Sequence, residues 1–169
     1  MTRSNAREIA VHLSFALGFS DQTAEELLED SLSRENFAQL KDEEPLYGEY
    51  PNEKQRQYIR DLVQGVYVHG PELDDYISRY SVGWSFARIP RMAAAVMRTA
   101  MYEVLYMPAI PNSAAINEAV EIAKNYEPAE VVSFINGILG SFVRAEFADS
   151  APKPEKKEEE AAGPEEPEE

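Results

Sequence analysis

Two isoleucine–asparagine pairs, Ile116-Asn117 and Ile135-Asn136, lie in stretches whose apolar residues recur at helical spacing. Asparagine is a poor helix former, because its amide competes for backbone hydrogen bonds. An amide set against an apolar stripe has two uses. Buried, it must find partners or cost ~1–3 kcal/mol; it then ties helix to helix, with Gly137 letting the helices approach. Exposed, it can read the donor and acceptor pattern of a ligand. Packing is the expectation for Asn117, and both uses stay open for Asn136.

Other chemistry is sparse. The two histidines, His12 and His69, are far apart and in no ligand spacing. The eight glycines form no phosphate-binding loop, and there is no GxSxG elbow. Cysteine is absent, which excludes disulfides and thiolate metal sites. Acidic neighbours such as Asp74-Asp75 point apart on a helix and read as solvated. The expectation is a binding protein, not an enzyme, with no cofactor and no metal.

The elements that must position these residues are helices; no stretch alternates apolar and polar residues for long. Ser4 or Asn5 caps a first helix running to Leu17, with Ile9, Leu13, Ala16 and Leu17 on one face. Asp21 caps a second, whose inward residues continue from Ala24 to Phe37 and Leu40. The loop 42–52 follows, and Asn52 caps a helix to about His69. Gly70-Pro71 breaks it, and a short helix and a turn around Trp84 follow, the tryptophan anchoring the join. A long helix spans Arg91 to Met107. Asn112 or Ser113 caps the next, and Pro128 opens the last. The pattern predicts an all-α chain of about seven helices in two sub-bundles, packed as one unit over 1–148.

Net charge is −15, which opposes a general electrostatic grip on nucleic acid. The charge is uneven. Residues 149–169 hold nine acids against three bases and lack large apolar side chains, so this acidic tail reads as disordered. From Lys54 to Arg98, seven bases face four acids, leaving room for a local basic surface. The N-terminus lacks the continuous apolar run of a signal peptide, and nothing approaches a ~20-residue membrane span. A cytoplasmic location is expected.

Four segments together, AREIAVHLSF (6–15), MRTAMYEVLY (97–106), INEAVEIAKNY (116–126) and FINGILGSF (134–142), resemble the NusB family of bacterial transcription antitermination factors. The order and spacing of INEAVEIAK and FINGIL carry most of the likeness, which covers about residues 3–147. The resemblance implies two packed three-helix sub-bundles. It implies binding of single-stranded boxA-type RNA jointly with NusE, a ribosomal small-subunit protein, within the RNA polymerase antitermination complex on ribosomal RNA operons. A homodimer is a further possibility in the family.

By the same resemblance, RNA contacts are expected from Arg3, Ser4 and Arg7 at the first helix's start, and from Glu130, Phe134 and Asn136 near the last helix's start. Arginines at a helix N-terminus oppose the macrodipole, which suits a phosphate contact; a solvated terminus with Glu8 nearby is the other reading. Phe134 could continue the apolar stripe or stack a base. Tyr102 and Glu103 match the family's partner-facing element. The family's arginine-rich start is thin here, so the rival reading is a helical scaffold that binds NusE but has lost RNA recognition.

Overall fold

The computed structural model describes residues 1–147; the acidic tail expected over 149–169 lies outside them. Those residues form eight α-helices: α1 (Arg3–Leu17), α2 (Ala24–Ser31), α3 (Arg34–Leu40), α4 (Glu53–Val68), α5 (Gly70–Tyr80), α6 (Arg91–Tyr106), α7 (Asn112–Ala123) and α8 (Ala129–Glu146). Single 3₁₀ turns at Pro45–Tyr47 and Phe86–Arg88 shape the two longer connections.

The all-helical expectation holds, with one division more than the spacing implied. The helix read from Asp21 to Leu40 is two. Ser33 breaks it: its Oγ donates to the Asp30 carbonyl at 2.8 Å and accepts from the Asn36 amide at 3.2 Å, ending one helix while capping the next. Caps also shift by a residue or two. Thr2 caps α1 and Thr23 caps α2, each accepting an amide three residues on. Asn52 caps α4 as expected, in a reciprocal box with Gln55.

Two cores result. Ile9, Ala10 and Leu13 of α1 pack with Leu28, Leu32, Phe37, Ile59 and Leu62. Leu73, Ile77, Met97, Ile135 and Phe142 centre the second core, from α5, α6 and α8. Helix α6 belongs to both halves, touching α1, α4, α5, α7 and α8. Its AAAV run explains this: small side chains at 93–95 let neighbours close in on several sides, and ten of its residues are buried.

Gly65 and Gly137 are both helix-interior glycines, with opposite surroundings. A Cβ at Gly65 would strike the Tyr102 ring, whereas one at Gly137 would meet only open space. Close helix approach, expected at Gly137, is therefore made at Gly65. Gly137→Ala should raise stability by ~0.5–1 kcal/mol through helix propensity. Gly65→Ala should forfeit that gain and lower the midpoint, because Tyr102 must move. Urea unfolding of both variants checks the order.

Candidate RNA and partner surfaces

Arg7 and Glu103 meet where the two halves join. Arg7 is 1 % exposed and Glu103 fully buried. The arginine Nε donates to Oε1 at 2.6 Å and Nη2 to Oε2 at 2.9 Å, a bidentate pair between α1 and α6. Tyr58 of α4 donates its hydroxyl to the same Oε2 at 3.0 Å. Burial alone would favour the uncharged guanidine, but Glu103 and the rest of this setting hold Arg7 above the ordinary arginine range. The Tyr58 phenol is also pushed up, first by burial and then by Glu103. The third arginine nitrogen, Nη1, makes no hydrogen bond; Glu118 of α7 lies 3.7 Å away. Ser4 Oγ donates to that Glu118 at 2.7 Å. Four helices thus converge on one buried cation.

This placement changes the expectation for three residues. Arg7 faces inward and offers no free guanidinium at the surface. Glu103 likewise presents nothing to a partner. Of the two N-terminal arginines only Arg3 remains partly exposed, its guanidinium 5.1 Å from the centroid of the Tyr58 ring. Ser4 is half-buried and engaged by Glu118.

Tyr102, the neighbour of Glu103, turns the other way. It packs 5.1 Å from Tyr106, whose ring stacks 4.2 Å from His69. Glu72 accepts the Tyr106 hydroxyl at 2.8 Å, which pushes that phenol up to about 12. Tyr67 and Val68, at the end of α4, are 62 % and 69 % exposed. The result is an aromatic cluster of His69, Tyr102 and Tyr106 with Glu72 at its border, and the exposed Tyr67 and Val68 precede His69 in sequence.

The start of α8 carries the other expected residues. Glu130 is exposed in the first turn, where the helix dipole favours an acid. Phe134 is half-buried and lies 4.5 Å from the Trp84 ring, tilted by 34°. Trp84 does not anchor the join of the halves: it sits half-exposed on the α5–α6 turn, where Gly83 at φ +83° reverses the chain, and it covers Phe134. Asn136 is exposed, and so is Asn117. Both line one open groove of about 600 Å³ between α7 and α8. The helix-to-helix tie expected of Asn117, and left open for Asn136, is absent among the described residues. Of the other arginines, Arg91 covers Phe19, Arg98 pairs with Asp74 at 2.5 Å, and Arg88 is exposed.

The NusB family profile matches residues 4–144. The chain belongs to the NusB family. A transcription antitermination protein NusB of Acetivibrio thermocellus is 38 % identical over 147 residues, covering 87 % of this chain and 92 % of its own. The structure of T. maritima NusB superposes with a TM-score of 0.71 at 29 % identity, over 85 % of this chain and 92 % of that one. A crystal structure of antitermination factors NusB and NusE in complex with double-stranded RNA shares the fold, with a TM-score of 0.69 at 19 % identity over 85 % and 96 % of the two chains. Among the described residues of this NusB-family chain, no helix is long and apolar enough to cross a membrane, and no acid–histidine cluster could hold a metal.

Sequence reasoning took Asn117 and Trp84 for packing residues, and it missed the aromatic cluster of His69, Tyr102 and Tyr106. An i, i+4 Tyr102–Tyr106 pair was the available signal for the last. It also missed a second clasp between the halves of this NusB fold. Tyr126, beyond α7, bonds His12 of α1 and donates to Glu8 at 2.8 Å, while Asn125 donates to the other Glu8 oxygen at 3.0 Å.

Two expectations follow for stability. Glu103→Ala strands a buried guanidinium and should cost ~3–5 kcal/mol, whereas replacing both partners, Arg7→Met with Glu103→Leu, should recover most of that loss; urea unfolding of the three proteins decides. Burial lowers the His12 pKa from its ordinary value, with Glu8 opposing. The fold therefore favours neutral His12; its contribution is complete above about pH 6.5 and is lost as pH falls below that. His12→Gln should show a smaller drop in unfolding midpoint than the wild type between pH 7.5 and 5.5.

Proposed function

We propose that this chain is a transcription antitermination factor that binds single-stranded boxA-type RNA together with NusE, as part of the RNA polymerase antitermination complex on ribosomal RNA operons. It acts in the cytoplasm, without catalysis, through residues 1–148 as one RNA-binding unit. Family membership supports the reading. The observation that carries it is the presence of exposed groups in two places: an aromatic cluster of His69, Tyr102 and Tyr106 bordered by Glu72, and the first turns of α8 with Glu130, Asn136 and the Trp84–Phe134 pair.

The RNA strip begins at Arg3 and Ser4 and includes Glu130, Phe134 and Asn136. Splayed bases stack on aromatic rings, and the Trp84–Phe134 pair offers such a ring at the surface. Arg7 acts from beneath, fixing the start of α1 through Glu103. Tyr102 presents the partner face, with Glu103 as its buried support. NusE, a basic ribosomal protein, meets the acidic body of this chain favourably, which speeds encounter.

The burial of Arg7 favours one rival. With Arg3 the chief cation left at the start of α1, a scaffold that binds NusE without discriminating RNA is the second reading. Fluorescence of Trp84, the single tryptophan, separates the two. A boxA-type RNA with NusE should quench it, a scrambled strand or a duplex should do so far less, and Arg3→Ala should reduce the salt slope by about 0.7. Normal NusE binding with no RNA discrimination would establish the scaffold instead.

A further inference from the structure

Gly137 has no evident reason in the free chain. It lies inside α8, is exposed, and has nothing near its missing Cβ. A glycine there costs the helix about 1 kcal/mol relative to alanine. Glycine in such a place permits close approach, and no group among the described residues makes that approach. Asn117 and Asn136 are equally unexplained. Both are exposed, both line the α7–α8 groove, and neither amide meets a hydrogen-bonding partner among the described residues. On α8, Ser133, Asn136 and Gly137 share one stripe, at the i, i+3, i+4 spacing that puts residues on one face.

The groove's charges say what enters it. Glu121 and Glu127 line it, and its one lysine, Lys124, is paired with Glu121 at 2.7 Å. A phosphate would meet carboxylates there. A neutral group with donor and acceptor on one edge meets two amides, each offering both. Asparagine pairs with such an edge on adenine in a bidentate manner. On α7, Asn117 is next in sequence to Glu118, which holds Ser4 of α1. On α8, Phe134 with its Trp84 cover lies two residues before Asn136 and so on a different face of the helix from the groove.

We infer that the α7–α8 groove is a base-reading pocket, in which Asn117 and Asn136 grip the edge of one unstacked nucleobase of a single-stranded RNA and Gly137 lets the nucleotide lie against the helix. The inference rests on the proposed RNA-binding function and adds to it a second amide, a glycine and a neutral, base-selecting site distinct from the cation at α1. The phosphates stay outside the groove, away from Glu121 and Glu127.

The test uses the full chain with NusE and a boxA-type single-stranded RNA, alongside a series in which each nucleotide in turn is abasic. Asn117→Ala and Asn136→Ala should each weaken RNA binding about tenfold. One abasic position should cost the wild type a similar factor and cost the Asn136→Ala variant nothing more. Gly137→Gln should weaken RNA binding while keeping or raising the melting temperature, so that loss of fold cannot account for the result. If the wild type discriminates the RNA and all three variants bind it as well as the wild type does, the pocket is refuted and the proposed function stands. If the wild type discriminates no RNA even with NusE, both fall. If the variants lose NusE and keep RNA, the groove takes protein, and the inference is overturned.

Discussion

The buried pair between Arg7 and Glu103 is the constraint on which the arrangement of both surfaces depends. A guanidinium and a carboxylate taken out of water are costly unless geometry and additional hydrogen bonds compensate. Here the two parallel bonds at 2.6 and 2.9 Å and the Tyr58 hydroxyl supply that compensation. The requirement is directional. Helix α1 must present Arg7 to α6 at one rotation, α4 must bring Tyr58 to the same carboxylate, and α7 must place Glu118 near the remaining nitrogen. Apolar packing tolerates small rotations of a helix; a bidentate pair among four helices does not.

That rotation sets what faces water. With Arg7 turned inward, Ser4 meets Glu118 of α7 and Arg3 lies over the Tyr58 ring of α4. With Glu103 inward, Tyr102 on the next position turns outward toward Tyr106 and His69. One residue step on α6 therefore separates the buried joint from the aromatic face. The amide groove lies between α7 and α8, and the Trp84–Phe134 pair between the α5–α6 turn and α8. An acidic body suits this division: the aromatic face is bordered by Glu72, and the groove admits a neutral base edge more readily than a phosphate.

Much of the fold was legible because its signals are local. The Asn52 cap, the Gly70-Pro71 break and the apolar spacing of the α4 and α8 stripes depend on residues within a turn or two of one another. The split at Ser33 was missed for a related reason: Leu32, Phe37 and Leu40 continue an apolar pattern across a break that only the serine's own hydrogen bonds reveal. The site was less legible because its decisive facts are not local. Arg7 and Glu103 stand 96 residues apart. An arginine near a helix start looks like a phosphate contact until its partner is located. Asn117 and Gly137 were read as packing devices, since an amide beside an isoleucine and a glycine in a helix usually serve that end. Their exposure depends on how α7 is set against α8, which no spacing within either helix states.

A nitrogen-15 correlation experiment tests this account most directly, because it sees the side-chain amides of Asn117 and Asn136 and the Nε–H of Arg7 at once. On titrating single-stranded boxA-type RNA in the presence of NusE, both asparagine amides should shift, while the Arg7 Nε–H stays slowly exchanging and unmoved, still bound to Glu103. Movement and faster exchange of the Arg7 signal with the two amides unchanged would contradict it, placing the RNA on the α1 cation and leaving the α7–α8 groove unused.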